Sequence, residues 1–89
     1  MNIQFDSAKD TTNLSKHGVS LALATEIEWE TLWAKPDTRK DYGENRMIGY
    51  ALIGTRLYNV VFTDRDDERR IISLRKANQR EVKSYVTHF

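Results

Sequence analysis

The hydrophobic pattern is most informative between Leu57 and Tyr85, and the elements predicted there frame the rest of the chain. Leu57 to Thr63 is rich in Val, Phe and Tyr, which suits a strand. Arg69 to Leu74 is a shorter β-branched run. Only charged residues, Asp64 to Glu68, lie between them, so the two runs read as a hairpin with a polar tip. Asn78-Gln79-Arg80-Glu81 then places a cap residue three positions before Glu, the spacing at which each side chain satisfies the other's free backbone N–H. A helix is predicted from Asn78 onward, burying Val82, Val86 and Phe89 with Tyr85 beside them. Strict alternation along the second strand puts Ile71, Ser73 and Arg75 on one face, and Arg70, Ile72 and Leu74 on the other.

Upstream, Asn2 to Phe5 alternates polar and apolar and predicts a short first strand. Asp6 or Ser7 can cap a helix running to about Lys16, closed by Gly18. Lys9, Asn13, Lys16 and His17 fall near one face of that helix, either as a chemical stripe or as an ordinary water-facing one. Ser20 can cap a second helix from Leu21 to about Glu28, with Leu23, Ala24 and Ile27 inward. An extended segment is expected near Leu32 to Ala34, and a loop from Lys35 to Tyr42 around the only proline. Glu44 to Ile53 reads as the next strand, with Arg46, Ile48, Tyr50 and Leu52 on one face. Gly54-Thr55 is a plausible two-residue turn into Leu57. The result is one α+β domain over residues 1–89. It has a small antiparallel sheet of about four strands, two N-terminal helices and a C-terminal helix, with one sheet face open.

Composition narrows the chemistry. The chain has no cysteine, so disulfides and thiolate metal sites are excluded. With no signal peptide and no apolar run of membrane-spanning length, a cytoplasmic protein without a membrane partner is expected. Net charge is only +1, but it is unevenly spread. Residues Glu26 to Glu44 hold six acids against three bases, whereas Arg69 to Lys83 holds six bases and one acid, Glu81. A segregated basic region suits an acidic ligand.

The two histidines, His17 and His88, have no paired-ligand spacing, and no phosphate loop or nucleophile turn is visible. No metal or cofactor is expected. The remaining candidates are Lys16, His17, Glu44, Arg46, Arg65, Arg75 and Tyr85. Attack of a ribose 2′-OH on the adjacent phosphate needs a base, an acid for the leaving oxygen, and positive charge on the equatorial oxygens. His or Glu suits the first two roles, and Arg or Lys the third. Equally, Arg residues at the hairpin can simply pair with Asp64, Asp66 and Asp67.

Five blocks carry a family resemblance. They are Lys16-His17-Gly18-Val19-Ser20; Gly43-Glu44-Asn45-Arg46; Val60-Val61-Phe62-Thr63-Asp64-Arg65; Arg70-Ile71-Ile72-Ser73-Leu74-Arg75-Lys76-Ala77; and Glu81 with Tyr85. Their order and spacing resemble the BrnT toxin family. The resemblance implies a RelE-like fold and a metal-independent ribonuclease that stops translation. It also implies an antitoxin of the BrnA type, whose ribbon-helix-helix part binds operator DNA. By position, the family's site residues fall on Lys16, His17, Glu44, Arg46, Arg65, Ser73, Arg75, Glu81 and Tyr85. Departures are Phe5 where the family often has Trp, Leu21 where it prefers Phe, Leu74 within a Ser-Ala-Arg triplet, and Ala22 and Leu23 where acids are frequent. Glu81 is accounted for by capping.

The expected arrangement is a single hollow. His17 and Glu44 serve there as acid and base, Arg46, Arg65 and Arg75 hold the phosphate, and Lys16, Ser73 and Tyr85 bind substrate. Two other readings stand beside it. One is a non-catalytic RNA- or protein-binding module. The other is a structural subunit whose Glu26 to Trp33 segment docks a partner helix through Trp29 and Trp33.

Overall fold

A computed structural model describes residues 1–88, so the expected burial of Phe89 lies outside the described residues. Asp6 caps α1 (Ser7–His17) by accepting the Ala8 N–H at 2.7 Å, and Gly18 closes it at φ +69°, a left-handed conformation that costs a residue without Cβ little. β1 (Asn2–Gln4) precedes it. The expected second helix is a single 3₁₀ segment, Leu21–Glu26, capped by Ser20. It stops short because Glu28 already belongs to β2 (Glu28–Pro36), which is longer than the extended segment expected. β3 (Met47–Ile53), β4 (Arg56–Arg65) and β5 (Glu68–Lys76) follow, then α2 (Gln79–His88). No helix among the described residues is long and apolar enough to cross a membrane.

The sheet has five strands rather than about four, in the order β1-β5-β4-β3-β2, and it is mixed. β2 to β5 form an antiparallel meander, but β1 lies parallel to β5, with Ile3 opposite Arg69. Gly54 (φ +61°) and Thr55 make the two-residue turn between β3 and β4. At the β4–β5 tip the strands reach Arg65 and Glu68, so only Asp66 and Asp67 turn, with Asp66 at φ 57°.

One sheet face packs under α1 and the 3₁₀ segment. Phe62, Leu21, Ile71, Leu74 and Val60 are its largest fully buried side chains, and Trp29, Leu32 and Met47 flank them. Each such side chain contributes roughly 1.5–3 kcal/mol on leaving water. Ile71 and Leu74 both enter this core although three residues separate them. The register explains this: Val61 faces Ser73 and Phe62 faces Ile71, so Ile72 is an extra, bulged residue. The simple alternation expected for β5 is therefore broken, and Ile71 does not share a face with Ser73 and Arg75.

β1 stops opposite Arg70, and the outer edge of β5 beyond it would lack partners. The buried Asn13 of α1 supplies them. Its amide donates to Leu74 O at 2.7 Å and to Val19 O at 2.8 Å, and its carbonyl accepts the Leu74 N–H at 3.2 Å. One member of the polar stripe on α1 is thus a structural bracket. α2 also departs from expectation. Val82 and Val86 are exposed, and the helix seats on the opposite sheet face through Glu81, Tyr85 and His88, so the face expected to be open is only partly open.

Candidate active site

The face away from the 3₁₀ segment carries the residues singled out in the sequence. Register places Thr63 opposite Arg70, Val61 opposite Ser73 and Asn59 opposite Arg75, with Ile48 and Tyr50 beside them on β3. The expected single hollow is instead three neighbouring places ordered along β5.

At the β4–β5 tip, Glu44, Thr63, Arg65, Glu68 and Arg70 line a slot of about 40 Å³. Thr63 fastens the incoming loop by donating its hydroxyl to Asn45 O at 2.7 Å, which brings Glu44 over the hairpin. Glu44 meets Arg46 at 3.0 Å, and the Arg46 guanidinium lies 4.1 Å from the centre of the Tyr42 ring. Arg65 and Arg70 are exposed, and neither forms an ion pair within the described residues. Arg69, between them, points to the other face, where it pairs with Asp64 at 2.8 Å and lies over Trp29 and Phe62. The expected pairing with hairpin carboxylates is thus realised by Arg69 alone. Arg70 lines this slot, and sequence reasoning passed over it. Its signal is its cross-strand position opposite Thr63, which only register reveals.

Midway along β5, the second recess lies between the strand and α1. Lys9, Lys16 and His17 line it from the helix, with Ile72 and Ser73 from the bulge. Lys16 and His17 are exposed in the last helical turn, where positive charge is favoured by the helix dipole.

The third place is a closed ion pair. Arg75 donates to both Glu81 oxygens at 2.8 Å and to Lys76 O at 3.2 Å. Glu81 also accepts from Tyr50 Oη at 3.3 Å, Asn59 Nδ2 at 3.4 Å and the Asn78 N–H at 2.9 Å, while Asn78 Oδ1 accepts the Glu81 N–H at 2.8 Å. The capping box expected from sequence is therefore also the clamp on Arg75. Hydrogen bonding from Arg75 holds the Glu81 carboxylate down to about 2, against burial, which pushes it up. Burial, then the Glu81 charge, raises the Tyr50 phenol. Arg75 commits three of its five N–H groups to these partners. Tyr85, expected to bind substrate, donates its hydroxyl to Thr31 O at 2.5 Å and so ties α2 to β2.

The two tryptophans are engaged within the chain rather than offered together to a partner helix. Trp29 meets Phe62 edge-on at 5.8 Å in the core, and Trp33 stacks on His88 at 3.8 Å on the other face. Among the described residues no three His, Asp or Glu side chains gather as a metal-binding set.

The family model described as ribonuclease toxin, BrnT, of type II toxin-antitoxin system matches residues 5–81. The chain belongs to the BrnT family. The crystal structure of the Brucella abortus ribonuclease toxin, BrnT, superposes with a TM-score of 0.69 at 25% identity, covering 89% of this chain and 99% of that one. Comparison with curated proteins gives no match. The BrnT assignment thus rests on a family pattern over most of the chain and on a shared α+β fold with a five-stranded mixed sheet. Membership makes it a ribonuclease toxin of a type II toxin–antitoxin system, with RNA as substrate and an antitoxin as partner.

Proposed function

We propose that this BrnT-family chain is a cytoplasmic endoribonuclease that cuts RNA by metal-independent transesterification and thereby stops translation. The observation that carries the reading is the pair of exposed guanidinium groups, Arg65 and Arg70, beside Glu44, with Ser73 of the His17 recess three residues beyond Arg70 on β5. In the reaction, a base removes the ribose 2′-OH proton and the 2′-oxygen bonds to the adjacent phosphorus. The bond from phosphorus to the 5′-oxygen breaks, and an acid protonates the departing oxygen. The products are a 2′,3′-cyclic phosphate and a 5′-hydroxyl. Glu44 and His17 are the two acid–base groups. Arg65 and Arg70 neutralise the equatorial oxygens. Arg46 orients Glu44 through their ion pair, and Arg75 meets the substrate backbone through its remaining donors. Lys16 and Ser73 bind substrate beside His17, and Tyr85 positions the site by holding α2 to β2.

The partner in this reading is a BrnA-like antitoxin with a ribbon-helix-helix part, through which the complex holds operator DNA. An RNA cleavage assay tests the enzyme. His17→Ala and Arg65→Ala should each slow cleavage on the order of 100-fold while remaining folded. Cleavage at the original rate by both folded variants would overturn the assignment. Salt-sensitive RNA binding with no cleavage products would favour a non-catalytic binding module instead.

A further inference from the structure

A cleft of about 300 Å³ lies on the open face between β2, β3 and α2, and the reaction proposed above makes no use of it. Trp33, Lys35, Arg39, Ile48, Tyr50 and Ser84 line it. Its volume is at the lower end for a site that takes one small organic group. Its walls combine the two things a single-stranded nucleotide needs, aromatic surface and fixed positive charge.

The aromatic part is preorganised. Trp33 and Tyr50 are cross-strand neighbours on β2 and β3, with ring centres 6.2 Å apart and planes tilted by 42°. His88 stacked on Trp33 occupies one face of the indole and fixes the ring, so a base must use the ring's cleft side, and the bond to Glu81 fixes the Tyr50 hydroxyl. The charged part is also held. Arg39 grips the buried Asp37 with two bonds of 2.8 Å, yet 65% of its side chain stays exposed, so its other donors face outward. This bond holds Asp37 down to about 2, which keeps the pair charged at every working pH. Arg75, bound to Glu81 at 2.8 Å, stands on the same sheet face opposite Asn59. Each cation is therefore neutralised on one side by its own carboxylate and open on the other, while Lys35 adds an exposed, uncompensated charge. An apolar helix from a protein partner would leave these donors unsatisfied, whereas a phosphate would use them.

We infer that this cleft is a nucleotide subsite, in which Trp33 and Tyr50 hold one base of the RNA while Arg39 and Lys35 hold its phosphate. It deepens the ribonuclease reading by giving the enzyme a means of choosing sequence beside the scissile bond. Purines, with the larger stacking surface, should be preferred.

The test uses the chain's two tryptophans, one on each side of the sheet. The indole N–H signals of Trp33 and Trp29 are followed by NMR as adenosine, guanosine, cytidine and uridine 5′-monophosphates are added. Saturable movement of Trp33 with Trp29 unmoved is expected, strongest with the purine nucleotides. Ser84→Trp, a bulky change at an exposed α2 position, should weaken that binding by about tenfold or more and redistribute cleavage sites on a mixed RNA. Both indoles moving without saturation, or neither moving, would overturn the subsite. So would an unchanged cleavage pattern in Ser84→Trp. A chain that cleaves no RNA but shows the saturable Trp33 shift would refute the nuclease reading and keep the subsite.

Discussion

Asn13 shows how far one side chain can depart from what its position suggests. On the helical wheel it belongs to a polar stripe with Lys9, Lys16 and His17, yet it is buried and supplies the edge of β5 with the partners a strand would give. Asn13→Ala leaves the Leu74 N–H and C=O unpaired, and a loss of about 2–3 kcal/mol is expected in denaturant unfolding. Glu81 and Arg75 make a second case. The folded Glu81 value of about 2 lies below its usual 4.5, so its stabilisation is complete above the usual value and is lost as pH falls towards about 2. Glu81→Gln should therefore lower the melting temperature at neutral pH and flatten its dependence on pH between 4.5 and 2. The capping role of Glu81 was legible from spacing alone, because a cap is a local bond. Its grip on Arg75, and the place of Arg70 in the tip slot, were not, since both depend on which strands lie side by side.

The elements divide along the same line. Ends set by neighbouring residues could be read from the chain: the Asp6 and Ser20 caps, the Gly18 stop, the Gly54-Thr55 turn and the Asn78–Glu81 box. Features set by distant partners could not. β1 runs parallel to a strand more than sixty residues away, and the Ile72 bulge exists only relative to β4. β2 is longer than its local pattern suggests because its register slips between Glu28 and Trp33, where the Thr31 hydroxyl accepts the Leu52 N–H in place of a backbone group. Beyond that slip the strands approach closely. A Cβ on Gly49 would stand 2.6 Å from Trp33 O, so Gly49→Ala should destabilise the fold by more than 1 kcal/mol through forced separation of β2 and β3. The valines of α2 suggest an apolar face, but its anchors are a carboxylate, a phenol and an imidazole. Val82→Lys and Val86→Lys should therefore change stability by no more than about 0.5 kcal/mol, measured by thermal unfolding of the isolated chain.

For the molecule as a whole, sorting of charge matters more than its sum. A net charge of +1 would not draw RNA, but Arg65, Arg70, Lys16, Arg75, Arg39 and Lys35 all lie on the open face or at its rims. RNA affinity should fall with rising salt, with a log–log slope of about −0.7 for each phosphate neutralised. The family and its α+β class could be read from motifs and from the run of elements, whereas the split of the expected hollow into three places followed from the bulge and from the Glu81 clamp. The most direct measurement compares single-turnover RNA cleavage by the folded variants Arg65→Ala and Arg70→Ala with that by Arg56→Ala, whose exposed side chain lies at the far end of β4. Losses on the order of 100-fold are expected for the first two and an unchanged rate for the third. Equal rates in all three would contradict a catalytic role for the open face.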